Sequence, residues 1–281
     1  ANGGGTVTSN GQTQILARGI CYGTAADPSL ANTVITDGAV TQGSYTALMT
    51  PLSPNTVYHV RAYVTNSVGT AYGGDSTFTT LAPGAFAASY TFDSVKTNSG
   101  TTDPTPVPVA TGVTFGSFSS VGASANPNAA LRFSYTGMTL GATTASDVFT
   151  AAIDSTTKYF TVTITPGAEK TIDLSSIKFT FQRSATGARQ AFVRSSVDAY
   201  TTNLSASVVP ADADMSIVPT NKFQSVDKSS PDAIPGCTIT LGGASYTGIA
   251  TPVTFRFYGV NAESTGGSFS IDNVVFNGLV H

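Results

Sequence analysis

The stretch KYFTVTITP, residues 158–166, alternates strictly. Phe160, Val162 and Ile164 fall on one side of an extended chain, and Thr161, Thr163 and Thr165 on the other. The same two-residue period recurs in VTFRFYGVNA, where Phe255 and Phe257 oppose Arg256 and Tyr258. No stretch sustains a helical period, so the pattern predicts an all-β chain of half-buried strands. Composition agrees, since only 10% of the 281 residues are charged while 41% are apolar. Few helix formers and abundant Thr, Val and Phe favour strands. Apolar residues at strand period also exclude disorder as the source of so much Ser, Thr and Gly.

Several classes of function are disfavoured at this level. A net charge of −3 with no basic stripe gives no footprint for nucleic acid. No run of about 18 apolar residues is present to span a membrane. Cys21 and Cys237 fall in regions assigned to different domains, so a disulfide between them is not expected. Cys21 reads as a small core residue. No signal peptide is visible, and secretion or display at a bacterial cell surface would rest on a leader removed ahead of residue 1.

FTTLAPGAFAASYTFDS marks a domain boundary, because Pro83–Gly84 interrupts the alternation between Phe78 and Tyr90. Residues 1–81 read as the short strands GGTVTS, ILARGICYG, GSYTALMT, TVYHVRAYVTN and TAYGGDSTFTT, at the spacing of a β-sandwich. RGICYGTAADPSLAN, LSPNTVYHVRAYVTNSVGTAYG and STFTT resemble the immunoglobulin-like, fibronectin type III-like repeats of secreted bacterial multidomain proteins. The resemblance implies a spacer. It also implies one further strand ahead of GGTVTS, and a tryptophan where Tyr22 stands, so the module is expected to begin without its first strand and with an edge exposed. His59 alternates with core positions and reads as a solvent-facing strand residue, with no partners for catalysis.

Residues 85–281 read as a second unit of about the size of a jelly-roll β-sandwich. Loops 97–112 and 210–236 are long and rich in Pro and Asp, and long loops on a rigid sandwich are where recognition usually resides. Catalysis is not expected. The only histidine of this region is His281, its only glutamates are Glu169 and Glu263, and most of its aspartates sit in turn contexts.

Two sets of residues stand out as candidate sites. Asp93 ends the first strand and Asp272 lies in the last, which often pair in a jelly roll. Together they are candidate oxygen ligands for a structural Ca2+, the alternative being ordinary strand-end hydrogen bonding. SFSIDNVVF also resembles the closing strand of secreted β-sandwich modules, some of which hold calcium there. The second set lies in FTFQRSATGARQAFVRSSVDAYTT, where SATGA is read as the turn of a hairpin. Arg183, Arg189 and Arg194 would cluster along it, with Asp198 and Tyr200 at its far end. Guanidinium groups grip carboxylate or sulfate and donate to sugar hydroxyls; pairing of Arg183 and Arg194 with Asp198 is the structural alternative. Tyr200, Tyr246 and Tyr258 have contexts that allow exposure for ring stacking, whereas Tyr90, Tyr135 and Tyr159 are as readily core. Arg256 and Tyr258 share one strand face as a second candidate surface.

This segment resembles one recurring in secreted bacterial β-sandwich modules, and the region 85–281 as a whole resembles a jelly-roll carbohydrate-binding module of secreted bacterial multidomain proteins. The resemblance implies non-catalytic polysaccharide or oligosaccharide binding by a monomer tethered to further domains. The alternative is a structural or adhesive module that takes a protein or cell-wall partner without glycan specificity.

Overall fold

A computed structural model describes residues 1–53, 55–80, 84–122, 124–125 (backbone only), 130–143, 146, 149 and 156–281. The chain is all-β, built of antiparallel sheets, and divides into compact units of residues 1–83 and 84–281. Among the described residues no helix is long and apolar enough to cross a membrane.

The first unit contains β1 (Asn2–Val7), β2 (Ile15–Gly23), β3 (Thr33–Thr36), β4 (Gly43–Leu48), β5 (Val57–Asn66), β6 (Thr70–Tyr72) and β7 (Ser76–Thr79). One sheet runs β3-β2-β5, with β6 and β7 both paired to β5; β1 and β4 form a second, two-stranded sheet. Ile20, Tyr22, Tyr45 and Met49 fill the core with Tyr58, Val60 and Phe78. β1 packs very close to β5, because a Cβ on Gly5 would lie 2.6 Å from that of Ala62. Strand β3 falls in TVIT, outside the segments that the sequence pattern marks as strands. The Ala1 carbonyl accepts from the Met49 N–H at 2.8 Å, so the odd residues of β1 bond to β4. Asn2, Gly4 and Thr6 point their backbone groups to the other edge, where no described strand of this unit pairs. His59 is half-buried, its ring Nδ1 2.7 Å from the Asp75 carboxylate. Cys21 is buried and free.

The second unit begins with β8 (Ala85–Tyr90), β9 (Val113–Phe115), β10 (Ser119–Val121), β11 (Ser124–Ala125) and β12 (Phe133–Thr136). Then follow β13 (Tyr159–Pro166), β14 (Ile172–Arg183), β15 (Ala188–Ser195) and β16 (Ser205–Val208). The last five are β17 (Met215–Val218), β18 (Lys222–Ser225), β19 (Ile234–Thr240), β20 (Val253–Ala262) and β21 (Phe269–Val280). One sheet runs β10-β13-β20-β15-β18-β17 with β9 on β13; the other runs β11-β12-β21-β14-β19-β16 with β8 on β21. The region read as a long loop, 210–236, therefore holds the β17–β18 hairpin and the start of β19.

The alternation seen in sequence fills the space between these sheets. Phe160, Phe181, Phe255, Phe257, Phe269 and Phe276 are buried with Tyr90 and Tyr135 in one core. Burying each such side chain contributes about 1.5–3 kcal/mol. Ring pairs such as Phe133–Phe160, with centroids 4.8 Å apart, add packing specificity. Tyr135 reaches far enough across for its hydroxyl to accept the Gly259 N–H at 3.3 Å.

The expected hairpin at SATGA does not form. β14 and β15 belong to different sheets, and Ser184–Gly187 is a tight arch between them, closed by the Gly187 N–H donating to the Ser184 carbonyl at 2.9 Å. Arg183 is in phase with the inward Phe179 and Phe181, and Arg189 with Ala191 and Val193. Both arginines are thereby directed between the sheets.

Candidate functional site

Arg183 and Arg189 sit in a buried charge network that closes one end of the sandwich. The Arg183 guanidinium donates to the carbonyls of Ser184 (3.2 Å), Ala185 (2.6 Å) and Val226 (2.9 Å). It lies 3.6 Å from the Glu263 carboxylate and 3.7 Å from that of Asp227. Arg189 donates to the Ser225 and Ser146 carbonyls and to Glu263, and stands 3.6 Å from Asp227. Burial lowers the Arg183 pKa, neighbouring Arg189 lowers it further, and Glu263 and Asp227 oppose the change. These two arginines, expected along a hairpin at the surface, are buried within this network instead. Neither Arg183 nor Arg194 pairs with Asp198, whose carboxylate accepts from the Thr202 N–H at 2.9 Å and from the Thr201 and Thr202 hydroxyls.

The other expected residues converge on the outer face of the β13-β20-β15 sheet. Arg194 is opposite Arg256 in the register, and Phe192 opposite Tyr258. Like charges directly across a strand pair repel, and aromatic rings offset the repulsion here. The Arg256 guanidinium carbon lies 4.4 Å from the Tyr159 ring centre and 3.6 Å from that of Tyr200. That of Arg194 lies 4.8 Å from Phe192 and 5.8 Å from Tyr258. Such contacts contribute about 0.5–2 kcal/mol each, more as they are desolvated.

The loop after β15 delivers Tyr200 to this position. A single 3-10 turn, Ser196–Asp198, is followed by Ala199 and Tyr200 at φ +56° and +61°. Consecutive left-handed residues with side chains are held only where surrounding bonds fix them. Here Asp198 caps Thr201 and Thr202, the Arg194 Nη1 donates to the Tyr200 carbonyl at 3.1 Å, and its Nε donates to Asn203 Oδ1 at 2.7 Å. Arg194, Tyr200, Arg256 and Tyr159 stay half-buried, so their outer edges meet solvent.

Tyr258 does not meet it. Its side chain packs with Phe192, Val260 and Tyr159 in a separate buried cluster, and burial raises its hydroxyl pKa while Arg256 and Arg194 pull it back. Tyr246, also expected exposed, is buried with its hydroxyl 2.6 Å from that of Ser195. Tyr159 is the residue the sequence reading missed. It precedes inward Phe160 and so must face outward, a signal available from parity alone.

At the opposite sheet, β8 pairs with β21 along Tyr90–Val274, bringing Asp93 and Asp272 into electrostatic reach. The Asp272 carboxyl pKa is raised by burial, lowered by the Asn273 N–H, raised by Asp93 and lowered by Arg132. Both Asp272 oxygens already accept from Asn273, at 2.7 and 3.0 Å. Among the described residues no three acidic, His or Cys side chains group together. Asp93 and Asp272, the expected Ca2+ ligands, thus lie near each other, and a hard cation there would need most of its six or more oxygens from elsewhere.

Comparison with protein-family models, with curated proteins and with solved structures finds no match to this chain.

Proposed function

We propose that the second unit is a non-catalytic module that binds polysaccharide or oligosaccharide on the outer face of its β13-β20-β15 sheet. The observation that carries this reading is the ladder Tyr159–Arg256–Tyr200, with Arg194 beside it. Two guanidinium groups and two phenol edges present donors to hydroxyl, carboxylate or sulfate groups, on a rigid sheet whose side chains are already ordered. Arg194 and Arg256 supply charge-assisted donors, and the outer edge of Tyr200 supplies ring contact.

The finer architecture belongs to the same reading. From β12 onward successive strands mostly change sheet, and the first and last strands, β8 and β21, lie side by side. This order supports a jelly roll. In the first unit, the order β3-β2-β5 with β6 and β7 beyond it, facing the β1–β4 pair, supports a fibronectin type III-like spacer. Calcium would be held by Asp93 and Asp272 as a structural ion. The protein would be a secreted or surface-displayed bacterial module attached to further domains.

Glycan-array screening followed by calorimetric titration of the best ligand tests the reading. Arg256→Ala and Arg194→Ala are each expected to weaken binding about tenfold, the value of one charge-assisted hydrogen bond. Unchanged affinity in both variants places the site elsewhere. A structural or adhesive module is the second reading, favoured by the engagement of both guanidiniums with neighbouring rings. Absence of any glycan ligand, together with a large loss of stability in Arg256→Ala, supports that one.

A further inference from the structure

A second polar feature lies at the end of the other sheet, away from the Arg194–Arg256 face. A pocket of about 170 Å³ is lined by Arg132, Gln182, Arg183, Ser184, Gly266, Ser268 and Ser270. Its position follows from register. Gln182 is opposite Ser270 between β14 and β21, and Ser134 is opposite Ser270 between β12 and β21. Arg132 stands one residue before β12, beside the Phe133–Ile271 pair. Three strand ends and the β20–β21 turn thus converge around one small cavity.

Among the described residues the lining carries two guanidiniums, a carboxamide and three hydroxyl-bearing residues and no carboxylate, the acids paired with Arg183 lying outside it. The Nε atoms of both Arg132 and Arg183 are buried without a hydrogen-bond partner. Leaving a buried donor unmade is costly, doubly so for a charged group. Arg183 is 3% exposed and fixed by three backbone carbonyls through its other nitrogens. It therefore cannot swing away to satisfy its Nε. Arg132 has Asp272 within electrostatic reach, yet it forms no ion pair within 4.0 Å among the described residues.

We infer that this pocket binds a small oxyanion, a carboxylate or sulfate group, between Arg132 and Arg183. Two or three oxygens on one centre match donors that converge from different strands, and the preset arginine limits the ordering cost. The cavity has room for the anionic group and for part of the molecule that carries it. The anion is either free in solution or a substituent of an acidic or sulfated chain, and the two share the chemistry described.

Titration calorimetry of the whole chain with sodium sulfate, sodium glucuronate and a sulfated oligosaccharide tests the inference. Arg132→Ala is the informative variant, because Arg132 makes no ion pair whose loss would unfold the protein. Saturable binding of any one of these probes that falls by about tenfold or more in Arg132→Ala supports the site. The arm that binds identifies the source of the anion. Gln182→Ala is expected to weaken the same binding by a smaller factor with the melting temperature unchanged. Absence of binding of all three probes, or equal binding by wild type and Arg132→Ala, overturns it. The Arg132→Ala variant keeps Arg194 and Arg256, so binding lost there but kept in Arg256→Ala belongs to this pocket alone.

Discussion

Replacing Arg183 by alanine measures what the buried charge network contributes to stability. Its side chain is fully enclosed, and its removal deletes three hydrogen bonds to carbonyls and withdraws one of two positive neighbours from Glu263, whose side chain is 1% exposed. Removing one member of a buried ion pair costs about 3–5 kcal/mol, largely because the partner charge stays buried. Arg189 remains 3.4 Å from Glu263 and moderates the loss, so the lower half of that range is expected. For a unit of this size each kcal/mol shifts the midpoint by about 2–4 °C. Differential scanning calorimetry should therefore show the second unit melting roughly 6–16 °C lower. Arg183→Met keeps much of the volume without the charge, and should recover only a minor part. A shift within about 1 kcal/mol of wild type refutes the reasoning, and full recovery by methionine would assign the cost to packing rather than to charge.

Two further expectations test the core and the paired carboxylates. Gly259→Ala would place a Cβ 2.5–2.9 Å from the Phe269 side chain across the sandwich, so it should destabilise by about 1–3 kcal/mol in chemical denaturation, and Phe269→Leu in the same chain should relieve part of the loss. Asp272 has a raised pKa in the folded state, so its contribution to stability is full below the unfolded value of about 3.9 and is lost as pH rises through the folded value. Asp272→Asn should accordingly flatten the fall in melting temperature above that pH in chelator; with calcium added, wild type should gain stability and the variant should not, and equal responses would remove Asp272 from any metal site.

How much of this was legible in the sequence follows from what alternation can encode. Period two identified the strands β13, β14, β20 and β21 and the inward Phe160, Phe255 and Phe257, because burial of one face writes itself locally. It also marked the interruption before Gly84, where the two units divide. Sheet membership is another matter. A four-residue connection such as Ser184–Gly187 serves equally as a hairpin turn or as an arch between sheets, and only the pairing partners decide. Those partners are Val275, Ile271 and Cys237 for β14 and Phe257 and Gln224 for β15, all distant in sequence.

That ambiguity makes the three arginines look like one cluster in the sequence. In a hairpin, Arg183, Arg189 and Arg194 would share a surface; across an arch, strand parity separates them. Arg183 continues the inward series Ile177, Phe179 and Phe181, and Arg189 begins the inward series Ala191 and Val193, whereas Arg194 alternates with Val193 and emerges outside. The charge of a residue says that it needs partners, and parity says on which side they must be found. Two inward arginines in a sandwich require buried acids, and Glu263 and Asp227 come from sequence positions that no local motif connects to them. The outward pair requires something else to offset mutual repulsion, and Tyr159 and Tyr200 supply it from a strand and a loop. Because two rings already lie within 4.4 Å of the Arg256 guanidinium carbon, a further ring has little room to stack on it, which favours planar or tetrahedral oxygen groups reaching its N–H groups over ring stacking on the arginine itself.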